Sequence, residues 1–250
     1  MTKLTTNGLI IREQRVGEAD RLVTILTQSM GLLKAFAPGA LKLNSKNHAG
    51  TQLLCYSSLA LSKSKDTYRI TESHQLLSFF ELEGDIEKLA LLQYLCELCA
   101  YFAPEGESDA NEKYLKLMLS ALKYVSSGER ELPLIKAAAE LKMLCFSGYM
   151  PELFSCDVCR CEPESDGCCF DPLSATVYCS KHENRIGGTL LPAGTAAAMR
   201  FIATSPVEKI FSFKLGETSL KILSAVTERY LLCTTERTFK TLEFYHSCKP

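Results

Sequence analysis

The chain has 250 residues, 46% of them hydrophobic and 23% charged, with a formal net charge of −1. That composition excludes an intrinsically disordered chain, and the length suits one large domain or about two to three small ones. Twelve cysteines, in a sequence whose start (MTKLTTNGLI) shows no cationic stretch ahead of an apolar core, argue for thiols and a metal over disulfides.

The first third reads as β structure. Leu9 and Ile11 alternate in NGLIIREQ, and DRLVTILTQ is rich in β-branched residues. Leu53, Cys55, Leu59 and Leu61 share one parity, as do Tyr68 and Ile70, with Ser62-Lys63-Ser64-Lys65-Asp66 between them as a hairpin connection. About five short strands in this stretch suit a small closed barrel, because closure removes exposed sheet edges. After Phe80 the pattern becomes helical. Gly84-Asp85 caps a helix that is apolar nearly all round and therefore central. Its longest apolar run, Leu89 to Phe102, is broken by Gln93 and Glu97 and is too short for a bilayer, so neither export nor a membrane partner is expected.

A second helix is expected from Asp109, with Glu112 three residues on as a capping box and a polar face of Lys113, Lys116, Ser120 and Lys123. A third runs from Pro133 to Phe146 and ends at Gly148. Beyond a cysteine-rich segment, 150–188, Pro192 to Ile202 reads as helix. Ser205-Pro206-Val207-Glu208 reads as a strong helix start, and a longer helix covers Glu217 to Cys233. Cys96 and Cys99 form a C-x2-C pair inside a helical pattern and read as core thiols.

Cys156 and Cys159 form a second C-x2-C pair, and Cys179 with His182 forms a C-x2-H pair, the two separated by 19 residues. Each half can grip a metal from a tight turn, and the gap allows the halves to fold together as in zinc knuckles. One structural zinc ion is the expectation, because four protein donors leave no coordination position for water. Cys161, Cys168 and Cys169 are alternative donors to His182, and the bland alternative is that these are buried thiols only. A zinc deaminase would need His-x-Glu upstream of Pro-Cys-x-x-Cys. Neither element is present, since Pro151 lies four residues too early.

Charge is uneven along the chain. Residues 1–80 carry ten Lys/Arg against five Asp/Glu, 81–150 seven against twelve, 151–188 three against seven, and 189–250 eight against five. A basic first third joined to an acidic middle suggests a polyanion partner, because phosphate binding follows the local field. Candidate nucleic-acid contacts are Arg12, Arg15, Arg21, Lys34, Lys42, Lys46, Lys63 and Lys65, with Lys3 and Arg69 also in this region. Phe36, Tyr56 and Tyr68 offer stacking faces, although scattered cations are often solvated surface and strand aromatics are often core.

The opening GLIIREQRVGEADRLVTILTQSMGLLKAFAPGA, with Gly17-Glu18-Ala19-Asp20-Arg21 and Met30-Gly31-Leu32, resembles the bacterial recombination-mediator family RecO. So do Gly148-Tyr149-Met150-Pro151-Glu152-Leu153 ahead of Cys156-x2-Cys159, and Phe170-Asp171-Pro172 ahead of Cys179. The resemblance spans nearly the whole chain. It implies an α+β multidomain protein: an N-terminal OB-fold β-barrel, 1–80, then a mainly α-helical domain, 81–250, with an inserted zinc knuckle.

It also implies a non-enzymatic, cytoplasmic, nucleoid-associated role in DNA repair and recombination. Such a protein binds single- and double-stranded DNA, anneals complementary strands, works with RecR, contacts the C-terminal tail of the single-strand-binding protein and indirectly helps load RecA. Two departures stand out. The family's basic run near its third strand is here Phe36-Ala37-Pro38-Gly39-Ala40-Leu41-Lys42, and His182 stands where cysteine is more common. The competing readings are a zinc-dependent nucleic-acid-processing enzyme and a protein-only scaffold of a repair complex.

Overall fold

The computed structural model describes residues 2–64, 67–78, 84–106, 110–163, 167–182 and 188–248. Five strands, β1 (Thr2–Val16), β2 (Asp20–Thr27), β3 (Gly31–Ala37), β4 (Tyr56–Ser64) and β5 (Thr67–Leu77), close into a barrel in the order β1-β2-β3-β5-β4. β3 and β5 pair in parallel and the other neighbours antiparallel, which gives an OB-like barrel.

β1 is long enough to serve two partners: Thr2–Leu9 pairs with β4 and Gly8–Val16 with β2. Gly8 therefore sits where both ladders meet. A Cβ there would lie 2.5 Å from the Ile25 Cγ2 and 3.1 Å from the Leu26 carbonyl oxygen, so any other residue would have to displace the Ile25 side chain and crowd the β2 backbone. A bulge between Ile10 and Arg12 interrupts the expected alternation of Leu9 and Ile11. Ile10 joins the barrel core, while Leu9 and Ile11 are also buried. The other side of β1 is covered because α1 (Ile86–Phe102) packs against it. The parity read in the fourth and fifth strands holds for Cys55, Leu59, Leu61 and Ile70, which line the core, with Tyr68 packed against its edge. Leu53 stays half-buried outside. The last β4–β5 pair is Ser64↔Thr67, and Lys65 and Asp66 lie outside the described residues.

The helices that follow are α2 (Asn111–Ser127), α3 (Leu132–Phe146), α4 (Ala193–Thr204), α5 (Glu217–Thr235) and α6 (Lys240–Ser247). The Asp85 carboxylate accepts the Lys88 N–H and caps α1, as the sequence suggests. Asp109, the expected start of the second helix, lies outside the described residues. By compactness the chain divides into Met1–Leu122 and Lys123–Pro250. Among the described residues no helix is long and apolar enough to cross a membrane.

In the second unit α3 is central, buried from Leu134 to Leu144, with α4 and α5 against it. Its charged side chains are therefore interior and paired. Lys136 Nζ lies 2.8 Å from Glu140 and 2.7 Å from Glu228, and the Thr227 hydroxyl donates to Glu140 at 2.8 Å. His246 on α6 meets the Glu228 carboxylate at 3.0 Å. Lys142 donates to the carbonyls of Ile202, Ala203 and Ser205 at 3.0, 3.0 and 2.6 Å, neutralising the C-terminal end of α4.

The expected helix at Ser205-Pro206 is only a 3-10 turn, Val207–Lys209. The Ser205 N–H closes α4, its carbonyl is taken by Lys142, and the Phe211 carbonyl is taken by Arg130, so the hydrogen bonds of a continued helix are spent elsewhere. The cysteine-rich segment forms a four-stranded sheet of β6 (Glu152–Cys156), β7 (Cys168–Asp171), β8 (Thr176–Tyr178) and β9 (Thr189–Leu191) in the order β6-β8-β7-β9.

Replacing Lys136 by Ala removes the ammonium that faces the buried Glu140 and the Glu228 carboxylate and is expected to cost about 3–5 kcal/mol, readable by urea denaturation. Burial alone would raise the Glu228 carboxyl, yet the Lys136 ammonium and His246 hold it below its ordinary value. A depressed carboxylate stabilises the fold above its unfolded-state pKa, and that contribution disappears as pH falls through the folded one. Acidification into and below the carboxylate range should therefore lower the melting temperature less in the Glu228→Gln variant than in the parent.

Candidate metal centre and nucleic-acid face

β6 and β8 run parallel, with Glu152 opposite Thr176 and Cys156 opposite Val177. Each strand therefore delivers a cysteine to the same end of the sheet, and each then turns sharply. The Arg160 N–H returns to the Cys156 carbonyl at 2.9 Å, and the His182 N–H returns to the Cys179 carbonyl at 2.8 Å. The two turns bring Cys156, Cys159, Cys179 and His182 together, with one donor atom from each all within 4.8 Å of one another.

Zinc–sulfur bonds of about 2.3 Å and zinc–nitrogen bonds of about 2.0–2.1 Å set tetrahedral edges of about 3.8 Å between sulfurs and about 3.6 Å between sulfur and nitrogen. Here Cys159 Sγ is 3.7 Å from Cys179 Sγ, and His182 Nδ1 is 3.6 Å from Cys156 Sγ and 3.2 Å from Cys179 Sγ. The donor set therefore fits a tetrahedral ion, and four protein donors fill it.

Burial acts to raise the Cys156 thiol, but the backbone N–H groups of Cys159, Cys179 and Val158 outweigh it and bring the pKa down to about 6. The cluster is thus arranged to hold a thiolate. Of the alternative donors, Cys168 and Cys169 are buried in β7, where burial pushes Cys168 up to about 11. Cys161 lies beside the cluster, 3.2 Å from the Cys159 sulfur, whose hydrogen bond holds it up to about 12. Sequence reading missed Arg160, which closes the first turn in a left-handed conformation at φ +59° without being glycine.

The eight candidate DNA contacts separate into groups. Arg12, Thr24 and Lys34 stand in register across β1, β2 and β3, and Lys63 lies 5.2 Å from the centre of the Tyr68 ring. Arg12, Lys34, Lys63 and Tyr68 line one cavity of about 730 Å3. Arg15 is exposed near the end of β1. Lys42 and Lys46 are exposed on the connection after β3, and Lys46 pairs with Glu72 at 3.1 Å. Lys65 lies outside the described residues.

Arg21 differs from all of these. It is 6% exposed and turned inward, donating to the His48 carbonyl at 2.7 Å and to the Thr51 hydroxyl at 3.1 Å, with Glu13 3.7 Å from its Nε. Of the aromatic candidates, Phe36, Tyr56 and Tyr68 are all half-buried on strands.

The structure thus defines a class: an OB-like barrel bearing cations, followed in sequence by a helical unit with a closed Cys3His knuckle. Family comparison agrees. Residues 1–79 match the model described as recombination protein O N terminal, and residues 83–243 match recombination protein O C terminal. A DNA repair protein RecO of Acetivibrio thermocellus is 33% identical over 245 residues, covering 98% of this chain and 96% of that protein. One of Dehalococcoides mccartyi is 30% identical over 98% of this chain and 95% of its own length, and one of Clostridium perfringens 29% identical over 97% of each. The chain belongs to the RecO family of DNA repair proteins, a family named for recombination and repair and not for a catalysed reaction.

Two stability outcomes follow from the site. Arg21→Ala is expected to destabilise the barrel by about 1.5–3 kcal/mol, the range for hydrogen bonds from a charged donor, whereas Arg12→Ala should leave the denaturation midpoint nearly unchanged. Arg160→Gly removes a left-handed non-glycine residue and should stabilise the knuckle by about 1 kcal/mol, measured as a raised melting temperature of the metal-loaded protein.

Proposed function

We propose that this protein is a non-enzymatic recombination mediator that binds single- and double-stranded DNA on its barrel and anneals complementary strands. The observation that carries the reading is the ordered row Arg12–Thr24–Lys34 across three adjacent strands, continued by Lys63 beside Tyr68. A line of cations with an aromatic neighbour follows a phosphate backbone while leaving bases a face to stack on. Arg15, Lys42 and Lys46 extend that surface, and Lys65, outside the described residues, belongs to the same set of proposed contacts. Arg21 supports it from within, because its hydrogen bonds hold the connection on which Lys42 and Lys46 are carried.

Annealing needs affinity without rigidity. Contacts directed at phosphates are independent of sequence, so two strands held on cationic surfaces can slide and sample register until base pairing takes over. In this reading the protein works with RecR, meets the C-terminal tail of the single-strand-binding protein, and indirectly favours RecA on the strand so exposed. The same reading assigns one structural zinc ion to Cys156, Cys159, Cys179 and His182. Bound there, it would cross-link two turns that have few apolar residues of their own. The sites of action would be the cytoplasm and the nucleoid.

The central test is the salt dependence of DNA binding. Affinity for an oligonucleotide should fall steeply and log-linearly with salt, and Lys42→Glu with Lys46→Glu should weaken binding alike for unrelated sequences. A salt-independent affinity, or no effect of the double change, would overturn the barrel as the DNA surface. For the knuckle, elemental analysis should find about one zinc per chain, and chelation should expose residues 150–188 to protease before the rest of the helical unit. A chain containing no zinc would remove that assignment.

A further inference from the structure

The barrel has an incomplete seam. Among the described residues β3 and β5 are paired only at Ala35↔Tyr68 and Phe36↔Arg69, and no described strand pairs with the first half of β3 on that side. The segment after α1 covers part of the gap: Leu32 N–H donates to the Pro104 carbonyl at 3.1 Å, and Glu105 bridges to Gly31 and Leu32. Asn111, fully buried, fastens this segment by donating to the Gly106 carbonyl at 2.8 Å and the Ser29 carbonyl at 3.3 Å. What remains open between β3, the start of β5 and this segment is the cavity of about 730 Å3, within the size range of sites for nucleotide-sized ligands.

Its walls have two chemistries. The floor is apolar, made by Leu4, Met30 and Leu32 with the Tyr68 ring, and Met30 and Leu4 pack against the barrel core. The rim on the strand side carries three cations, Arg12, Lys34 and Lys63. Opposite them stands one carboxylate, Glu105, exposed on the wall that follows α1. A bare phosphate has no use for the floor, and an uncharged apolar ligand has no use for the rim. A nucleotide matches both, with a flat ring of apolar faces tethered to an anion. Glu105 sets its direction, because a carboxylate repels the phosphate and accepts hydrogen bonds from N–H groups on an unpaired base edge.

We propose that this seam cavity takes one unstacked nucleotide of single-stranded DNA, its base against Tyr68 and Met30 and its phosphate among Arg12, Lys34 and Lys63. The proposal rests on the DNA-binding reading above and deepens it, by giving this cavity a contact with single strands that a duplex cannot make. In a duplex the bases are paired and stacked inside, so only the phosphates reach the rim. In a single strand one base can leave its neighbours at a small unstacking cost and recover it on the ring. Met30, with its flexible thioether, suits a pocket that accepts bases of different size.

The test compares a single-stranded oligothymidylate, the same oligomer with abasic sites replacing alternate bases, and a duplex of equal length, at one salt concentration. With the parent protein, abasic substitution should weaken binding about tenfold, since stacking of one base is worth about 1–3 kcal/mol. Tyr68→Leu, which keeps apolar volume at the barrel edge, should lose most of that discrimination, while its duplex affinity falls by a smaller factor than its affinity for the intact single strand. Met30→Ala, at a half-buried turn position, should behave in the same direction and serves if the Tyr68 variant does not fold. Equal affinity of the parent for intact and abasic strands overturns the pocket, as does undiminished discrimination in either folded variant. Failure of the parent to bind any of the three DNAs at low salt sinks the DNA-binding reading itself.

Discussion

The long connection between β3 and β4 hangs on two adjacent side chains at the start of β2. Asp20 accepts the Gly39 N–H at 2.6 Å, and Arg21, one residue on, reaches the His48 carbonyl and the Thr51 hydroxyl. Thr51 then donates to the Asn47 carbonyl at 2.6 Å, and Ser73 of β5 donates to the Asn47 side chain at 3.2 Å. The connection thereby becomes continuous with the strands on both sides of it. It has few apolar residues to anchor it, mainly Ala40, Leu54 and Cys55, so polar bonds define its course. A buried guanidinium is costly to leave unpaired, and this path gives the Arg21 Nη1 two acceptors, with the Glu13 carboxylate 3.7 Å from its Nε. Barrel closure, the position of Lys42 and Lys46, and the entry into β4 all depend on that constraint.

The cysteine-rich segment meets a similar shortage of core by another route. Its sheet is built from strands of three to five residues, too short to hold register on ladder bonds alone. Parallel pairing of β6 with β8 aligns the two cysteine turns, and a metal would join them at one point. The connection is therefore fixed by polar bonds at a few atoms, and the cysteine-rich segment has four donor atoms gathered where a metal could fix it in the same way. The helical unit around α3 is different. It has ample apolar burial and can enclose Lys136, Glu140 and Lys142 as paired interior charges.

Much of this was legible in the sequence, for identifiable reasons. Strand parity at Leu59, Leu61 and Ile70, the Asp85 cap and the Cys/His spacing are local patterns, and local patterns survive into the fold. What was not legible depends on partners far along the chain. The bulge in β1 comes from one strand serving two ladders. The Ser205-Pro206 start fails because Lys142 and Arg130, from elsewhere in the sequence, take the carbonyls. The sequence reading did not anticipate α6, a short C-terminal helix held in part by His246 against Glu228. Arg21 looks in the sequence like any other cation of the basic third. Only the pairing of Arg15 with Arg21 across β1 and β2, and the inward turn of the second, separates a surface charge from a buried clasp.

Several of the residues that carry the family resemblance in the barrel shape the fold around it. In Met30-Gly31-Leu32, Gly31 has φ +65° and a Cβ there would lie 2.3 Å from the Pro104 carbonyl oxygen. Its absence of a side chain is what lets the segment after α1 close on β3. In Gly17-Glu18-Ala19-Asp20-Arg21, the last two residues build the clasp, and the Ala19 carbonyl accepts the Leu41 N–H at 2.8 Å. The formal excess of +5 in residues 1–80 therefore overstates the charge a polyanion meets, since Arg21 is buried and Lys46 already faces Glu72. The field is concentrated instead where Arg12, Lys34 and Lys63 converge, beside the seam that the segment packed on Gly31 closes only in part. A scaffold of this kind can place a small number of cations in one register and still rely on them, because low charge held in fixed geometry can discriminate between ligand shapes that a diffuse basic surface would bind alike.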